Sequence, residues 1–137
     1  MSTNQDGNRA KQGFVLVMES DSDLRGMICN ALSLEGHRVE STSDCASVLS
    51  WREREGAAPE DLLLALGAGD PDPDWGRLQV ALEQDRVLSQ AAVIVLLTIR
   101  NGLTFPRRAR IVQKPFALDA LLALVAADFD AARVKPR

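Results

Sequence analysis

Phe14-Val15-Leu16-Val17-Met18-Glu19-Ser20-Asp21-Ser22-Asp23 is the stretch from which the fold can be read. A continuous apolar run of β-formers breaks at a polar, acidic loop. Beyond it Leu24, Met27, Ile28, Ala31 and Leu32 recur at i, i+3, i+4, i+7 and i+8, the spacing of one helix face. Ser22 or Asp23 can cap the first turn, and Gly36 is placed to end the helix in a left-handed conformation. The reading is a buried strand, a polar loop and an amphipathic helix.

The same alternation continues outward. Arg38 to Thr42 is a short, partly alternating strand candidate, and Leu62 to Leu66 and Val93 to Leu97 are wholly apolar. Ile111 and Val112 lead into Gln113-Lys114-Pro115-Phe116. Pro115 disfavours a helical Lys114, as a strand end that turns would require. Helical patterns fall between the strands: Asp44 to Arg54, Trp75 to Leu88, and a last one marked by Leu118, Leu121, Leu122, Val125 and Phe129. Unbroken apolar strands suit a parallel sheet covered on both faces. The order therefore predicts a doubly wound α/β domain with a five-stranded parallel sheet, its site at the carboxyl ends of the strands.

Three segments carry a family resemblance: Val15 to Arg25, the Leu34-Glu35-Gly36-His37 turn, and Lys114-Pro115-Phe116. Together they resemble the CheY-like receiver domain of two-component response regulators, over roughly residues 14 to 128. The resemblance implies a flavodoxin-like three-layer sandwich and a phosphoryl transfer from phosphohistidine to aspartate. That chemistry needs an acceptor carboxylate, a divalent cation, a hydroxyl and an ammonium. In the family an acidic pair after the first strand holds the cation together with the acceptor after the third; here the pair corresponds to Glu19 and Ser20. The acceptor position falls on Ala65 or Leu66, neither of which can be phosphorylated. Thr98 and Lys114 match the hydroxyl and the ammonium. With one carboxylate left of three, magnesium binding is expected to be lost or very weak, and no other cofactor or metal is expected. The family's aromatic switch position falls on Ile111. The interval from Thr98 to Lys114 is also shorter than the family's, and Ile99 to Pro106 has a turn-like composition, so the fourth helix is expected to be shortened or lost.

The resemblance thus implies a degenerate pseudo-receiver, not an enzyme, that binds a protein: a histidine kinase, a phosphotransfer protein, another regulator or itself. Lys114 and Glu19 are expected to pair, because each would otherwise be an unpartnered charge in a partly closed site. Two alternatives stand beside this reading. One is a phosphorylatable regulator using a displaced carboxylate, Asp70 or Asp21; the other is a small-ligand sensor of the same fold.

The rest of the chain frames these expectations. Its 137 residues suit one core, with residues 1 to 13 read as a disordered tail, 14 to 130 as the domain and 131 to 137 as a second tail. The polar N-terminal stretch has no apolar export segment, and no apolar run approaches a membrane span, so a cytoplasmic protein without a membrane partner is expected. The net charge of −3 argues against nucleic acid. Arg107, Arg108 and Arg110 form a local basic cluster that can be either a solvated edge or a docking patch for an acidic partner. Cys29 and Cys45 read as packed thiols. Trp51 and Trp75 read as core-edge residues, Trp75 also as a cover for the pocket, and His37 as a surface residue of a turn. Gly67-Ala68-Gly69 lacks the third glycine and the helix of a dinucleotide fingerprint.

Overall fold

A computed structural model describes residues 13–55, 61–69, 72–98 and 104–134. Five strands, β1 (Phe14–Met18), β2 (Arg38–Thr42), β3 (Leu62–Ala68), β4 (Ala92–Leu97) and β5 (Arg110–Gln113), form one parallel sheet in the order β2-β1-β3-β4-β5. The α-helices are α1 (Ser22–Leu34), α2 (Cys45–Glu55), α3 (Trp75–Gln84) and α4 (Leu118–Val134), with a 3-10 turn at Leu88–Gln90. The helical pattern read through to Leu88 is therefore divided, because Asp85 is extended and its carboxylate accepts the Val87 and Leu88 N–H groups.

Alternation in the strands separates two cores. Val15, Val17, Leu63, Ala65, Ile94 and Leu96 face α1 and α4, where Ile28, Leu32, Leu121, Val125 and Phe129 meet them. Leu16, Met18, Leu64, Leu66, Val95 and Leu97 face α2 and α3, against Val48, Trp51, Trp75, Leu78 and Leu82. This is the expected doubly wound, flavodoxin-like sandwich. Each fully buried aliphatic side chain contributes on the order of 1.5–3 kcal/mol of transfer free energy, so β1, buried throughout, and β3, buried at every residue but Gly67, anchor the domain.

Local signals explain the element ends. Asp21 caps α1, accepting the Asp23 and Leu24 N–H groups at 2.9 and 3.1 Å. At its other end Gly36 has a φ of 94°; its N–H reaches the Ser33 carbonyl and that of His37 the Leu32 carbonyl, a Schellman closure. The last helix runs to Val134, beyond the boundary read at residue 130.

His37 corrects its sequence reading: it is buried, not a surface residue. The Schellman turn directs its ring inward against Phe129, with ring centroids 5.2 Å apart. Between β4 and β5 no helix occurs among the described residues, as the short interval predicted.

Candidate functional site

Glu19 follows β1, and its backbone is held from both sides. Its N–H donates to the Thr42 carbonyl at 3.0 Å and its carbonyl accepts from the Arg25 guanidinium at 2.6 Å. The side chain is consequently aimed along the strand ends rather than into solvent, and the residue is 1% exposed. Lys114 arrives from the end of β5, where its N–H donates to the Leu97 carbonyl at 2.8 Å and its peptide to Pro115 is cis.

The two side chains meet. Lys114 Nζ lies 2.8 Å from Glu19 Oε1, and Glu19 Oε2 accepts the Asp21 N–H at 3.0 Å. Both carboxylate oxygens therefore have donors, the condition under which a buried charge is tolerable. The pairing expected from charge arithmetic joins residues 95 positions apart.

The β3 residue beside this pair is Gly67, and neither Ala65 nor Leu66, the two positions considered from the sequence, faces it. Met18 lies opposite Leu66 in the parallel register, and the strand continues through Gly67, opposite Leu96, to Ala68. Ala65 is fully buried beneath α1 and α4, and Leu66 points to the opposite core. A side chain on Gly67 would collide with Glu19 Oε1 and lie 3.0 Å from its Cδ. The Glu19 carboxylate thus fills the space into which a residue 67 side chain would project. The sequence signal is the alternation, since Ala65 and Gly67 share a face, but the apolar run that marks the strand stops at Leu66.

Ser20 is exposed at the loop's start. Thr98, also exposed, donates its N–H to the Ala68 carbonyl and stands against Gly69. Gly69 has a φ of +126°, and a Cβ there would meet Thr98 Cβ at 2.7 Å. Thr98 is therefore packed on the β3 exit rather than joined to the Glu19–Lys114 pair. Of the two displaced carboxylates considered, Asp21 is engaged as the α1 cap, and Asp70 lies outside the described residues.

Asp72 does work that sequence reasoning missed. Its carboxylate accepts the Cys45 N–H at 3.0 Å and the Asp74 N–H at 2.9 Å, joining the start of α2 to the approach to α3. These backbone donors hold its carboxyl below the usual range, against the opposing effect of burial. Burial foremost, with Asp72 beside it, pushes the Cys45 thiol far up, and the residue is fully buried in the core.

The basic cluster is not one surface. Arg108 Nε donates to the Ala91 carbonyl at 2.8 Å, and its Nη2 donates to those of Leu88 and Leu82 at 2.8 and 3.2 Å. It clamps the β4–β5 connection onto the end of α3 and the 3-10 turn. Arg110 donates to Asp128 on α4 at 2.8 Å, leaving Arg107 exposed beside them. In the same connection Phe105 meets Trp75 edge-on, with centroids 5.7 Å apart, and Pro106 is buried. Trp75 thus closes a core edge against this connection. Ile111, paired with Val95, is 45% exposed on that face of β5.

Among the described residues no helix is long and apolar enough to cross a membrane. No family model matches the sequence, and no curated protein sequence is significantly similar to it. Solved structures are similar. The chemotaxis response regulator CheY4 of Vibrio cholerae aligns at a TM-score of 0.67 and 17% identity, over 85% of this chain and 98% of that one. A response regulator receiver domain protein of Bacillus halodurans gives 0.64 and 21%, over 90% and 97%. The receiver domain of the Francisella response regulator 1452 gives 0.68 and 16%, over 88% and 98%. The sheet order, the two helical layers and these alignments give this chain the fold of response-regulator receiver domains.

Proposed function

We propose that this chain is a pseudo-receiver: a phosphorylation-independent protein-interaction module of bacterial two-component signal transduction, without enzymatic activity. The observation that carries the reading is the Glu19–Lys114 pair lying over Gly67. A receiver needs a carboxylate on the third strand as nucleophile, and glycine offers none. The lysine that would hold a phosphoryl oxygen is already engaged by a carboxylate of the protein.

Magnesium does not fit the donors that remain. Glu19 has both oxygens hydrogen-bonded, Ser20 supplies a neutral hydroxyl, and Gly67 supplies nothing. The ion prefers an oxygen-rich octahedron with carboxylate among its ligands, so neither metal nor cofactor belongs to this reading. Ile111, at the position of the family's aromatic switch, has no ring to reposition. Arg108 fixes the neighbouring connection independently of any phosphoryl group. The surface offered to a partner is therefore constant, and the partner is a histidine kinase, a phosphotransfer protein, another regulator or a second copy, met in the cytoplasm.

Incubation with a small-molecule phosphodonor and magnesium, followed by intact-mass measurement, tests this. The expected result is an unchanged mass while a phosphorylatable receiver treated alongside gains one phosphoryl group. An acid-labile phosphoryl group on this chain would overturn the proposal and redirect attention to Asp70 or Asp21.

A further inference from the structure

His37 is a buried titratable group outside the pocket. Its Nδ1 accepts the Gly13 N–H at 3.4 Å, and its ring lies against Phe129, itself 2% exposed. Gly13 is wedged in place: a Cβ there would fall 2.6 Å from Phe129 Cε1 and 2.8 Å from the Asp61 carbonyl oxygen. The Gly13 carbonyl accepts the Arg38 N–H at 3.0 Å, and the next N–H, of Phe14, donates to the Asp61 carbonyl. Three elements thus converge on one imidazole: the entry to β1, the turn between α1 and β2, and the C-terminal half of α4.

We propose that His37 is a proton-operated latch holding the entry of β1 against α4. To accept at Nδ1 the ring must be neutral, with its proton on Nε2. A second proton converts Nδ1 into a donor facing the Gly13 N–H, leaving two donors without an acceptor in a buried position. It also places a charge in a mostly buried position beside Phe129, away from most of the solvent. Neutral His37 closes the latch, and protonation opens it.

The surrounding charges do not reverse this. Glu35 at the end of α1 favours the cation, but burial outweighs it and holds His37 below its ordinary 6.5. On β2, Arg38 is turned over the Phe14 ring, 5.2 Å from its centroid. On α4, Asp128 is engaged by Arg110 and Asp130 is exposed, while Asp61 meets Gly13 and Phe14 through its carbonyl. A folded value below the unfolded one means that the stabilisation is fully present above about pH 6.5 and lost as pH falls through the folded value.

NMR of the full chain from pH 8 to pH 5 tests the latch. The Gly13 amide is expected to shift with the same midpoint as the His37 ring, below its ordinary value. Its protection from solvent exchange, corrected for intrinsic pH dependence, should fall by up to about tenfold per pH unit between about pH 6.5 and that midpoint and level off below it. His37→Gln, which keeps an acceptor but cannot titrate, should hold both constant. A Gly13 amide that ignores the imidazole titration would overturn the proposal, as would His37→Gln reproducing the wild-type pH dependence. Should that variant not fold, co-titration in the wild-type chain decides alone.

Discussion

Two places in this domain are each held by a cation, and they are held differently. At the strand ends, Lys114 meets the Glu19 carboxylate in a nearly dry site, with side chains 17% and 2% exposed. At the β4–β5 connection, Arg108 meets the backbone carbonyls of Leu82, Leu88 and Ala91, at the end of α3 and around the 3-10 turn. The first lock is a charge pair, whose halves are each costly alone. The second satisfies neutral acceptors, which water could satisfy instead. Removing one partner should therefore be more damaging at the pocket than at the connection.

Lys114→Met gives the largest expected effect. It leaves Glu19 charged and buried with only the Asp21 N–H, and loss of one partner of a buried pair costs about 3–5 kcal/mol. Urea unfolding at neutral pH measures it, and a loss below that of the connection variant would erase the distinction drawn here. Arg108→Ala comes next, at about 2 kcal/mol, since hydrogen bonds from a charged donor are lost but the freed carbonyls can rehydrate. Hydrogen exchange should show the loss concentrated in residues 104–109, with the Glu19 and Lys114 amides unaffected. The smallest effect belongs to Arg110→Ala, whose guanidinium is half exposed beside Asp128; such pairs contribute about 0–1 kcal/mol, and the loss should shrink further in high salt.

The contrast also explains which features were legible in the sequence. The fold was, because unbroken apolar strands alternating with amphipathic helices admit few arrangements, and Gly36 marked the end of α1. The Glu19–Lys114 pair was legible because charges must be matched in a closed site whatever the intervening chain does. Arg108 reads as part of a solvated edge or a docking patch because its acceptors are main-chain carbonyls, which leave no mark in a side-chain pattern. Gly67 falls just past the apolar run that marks the strand, yet pairing with β4 carries the strand through it. His37 was placed on the surface because a turn suggested exposure, whereas the Schellman geometry turned the ring inward. What the sequence concealed in each case was a backbone partner.

A double-mutant cycle in urea, with Glu19→Gln, Lys114→Met and the combined variant, tests the central claim most directly. If the protein's own ion pair holds the pocket, the two losses overlap, and the double variant should be less damaged than their sum by about 1–3 kcal/mol. Losses that add to within about 0.5 kcal/mol would contradict it, because the two side chains would then be acting independently.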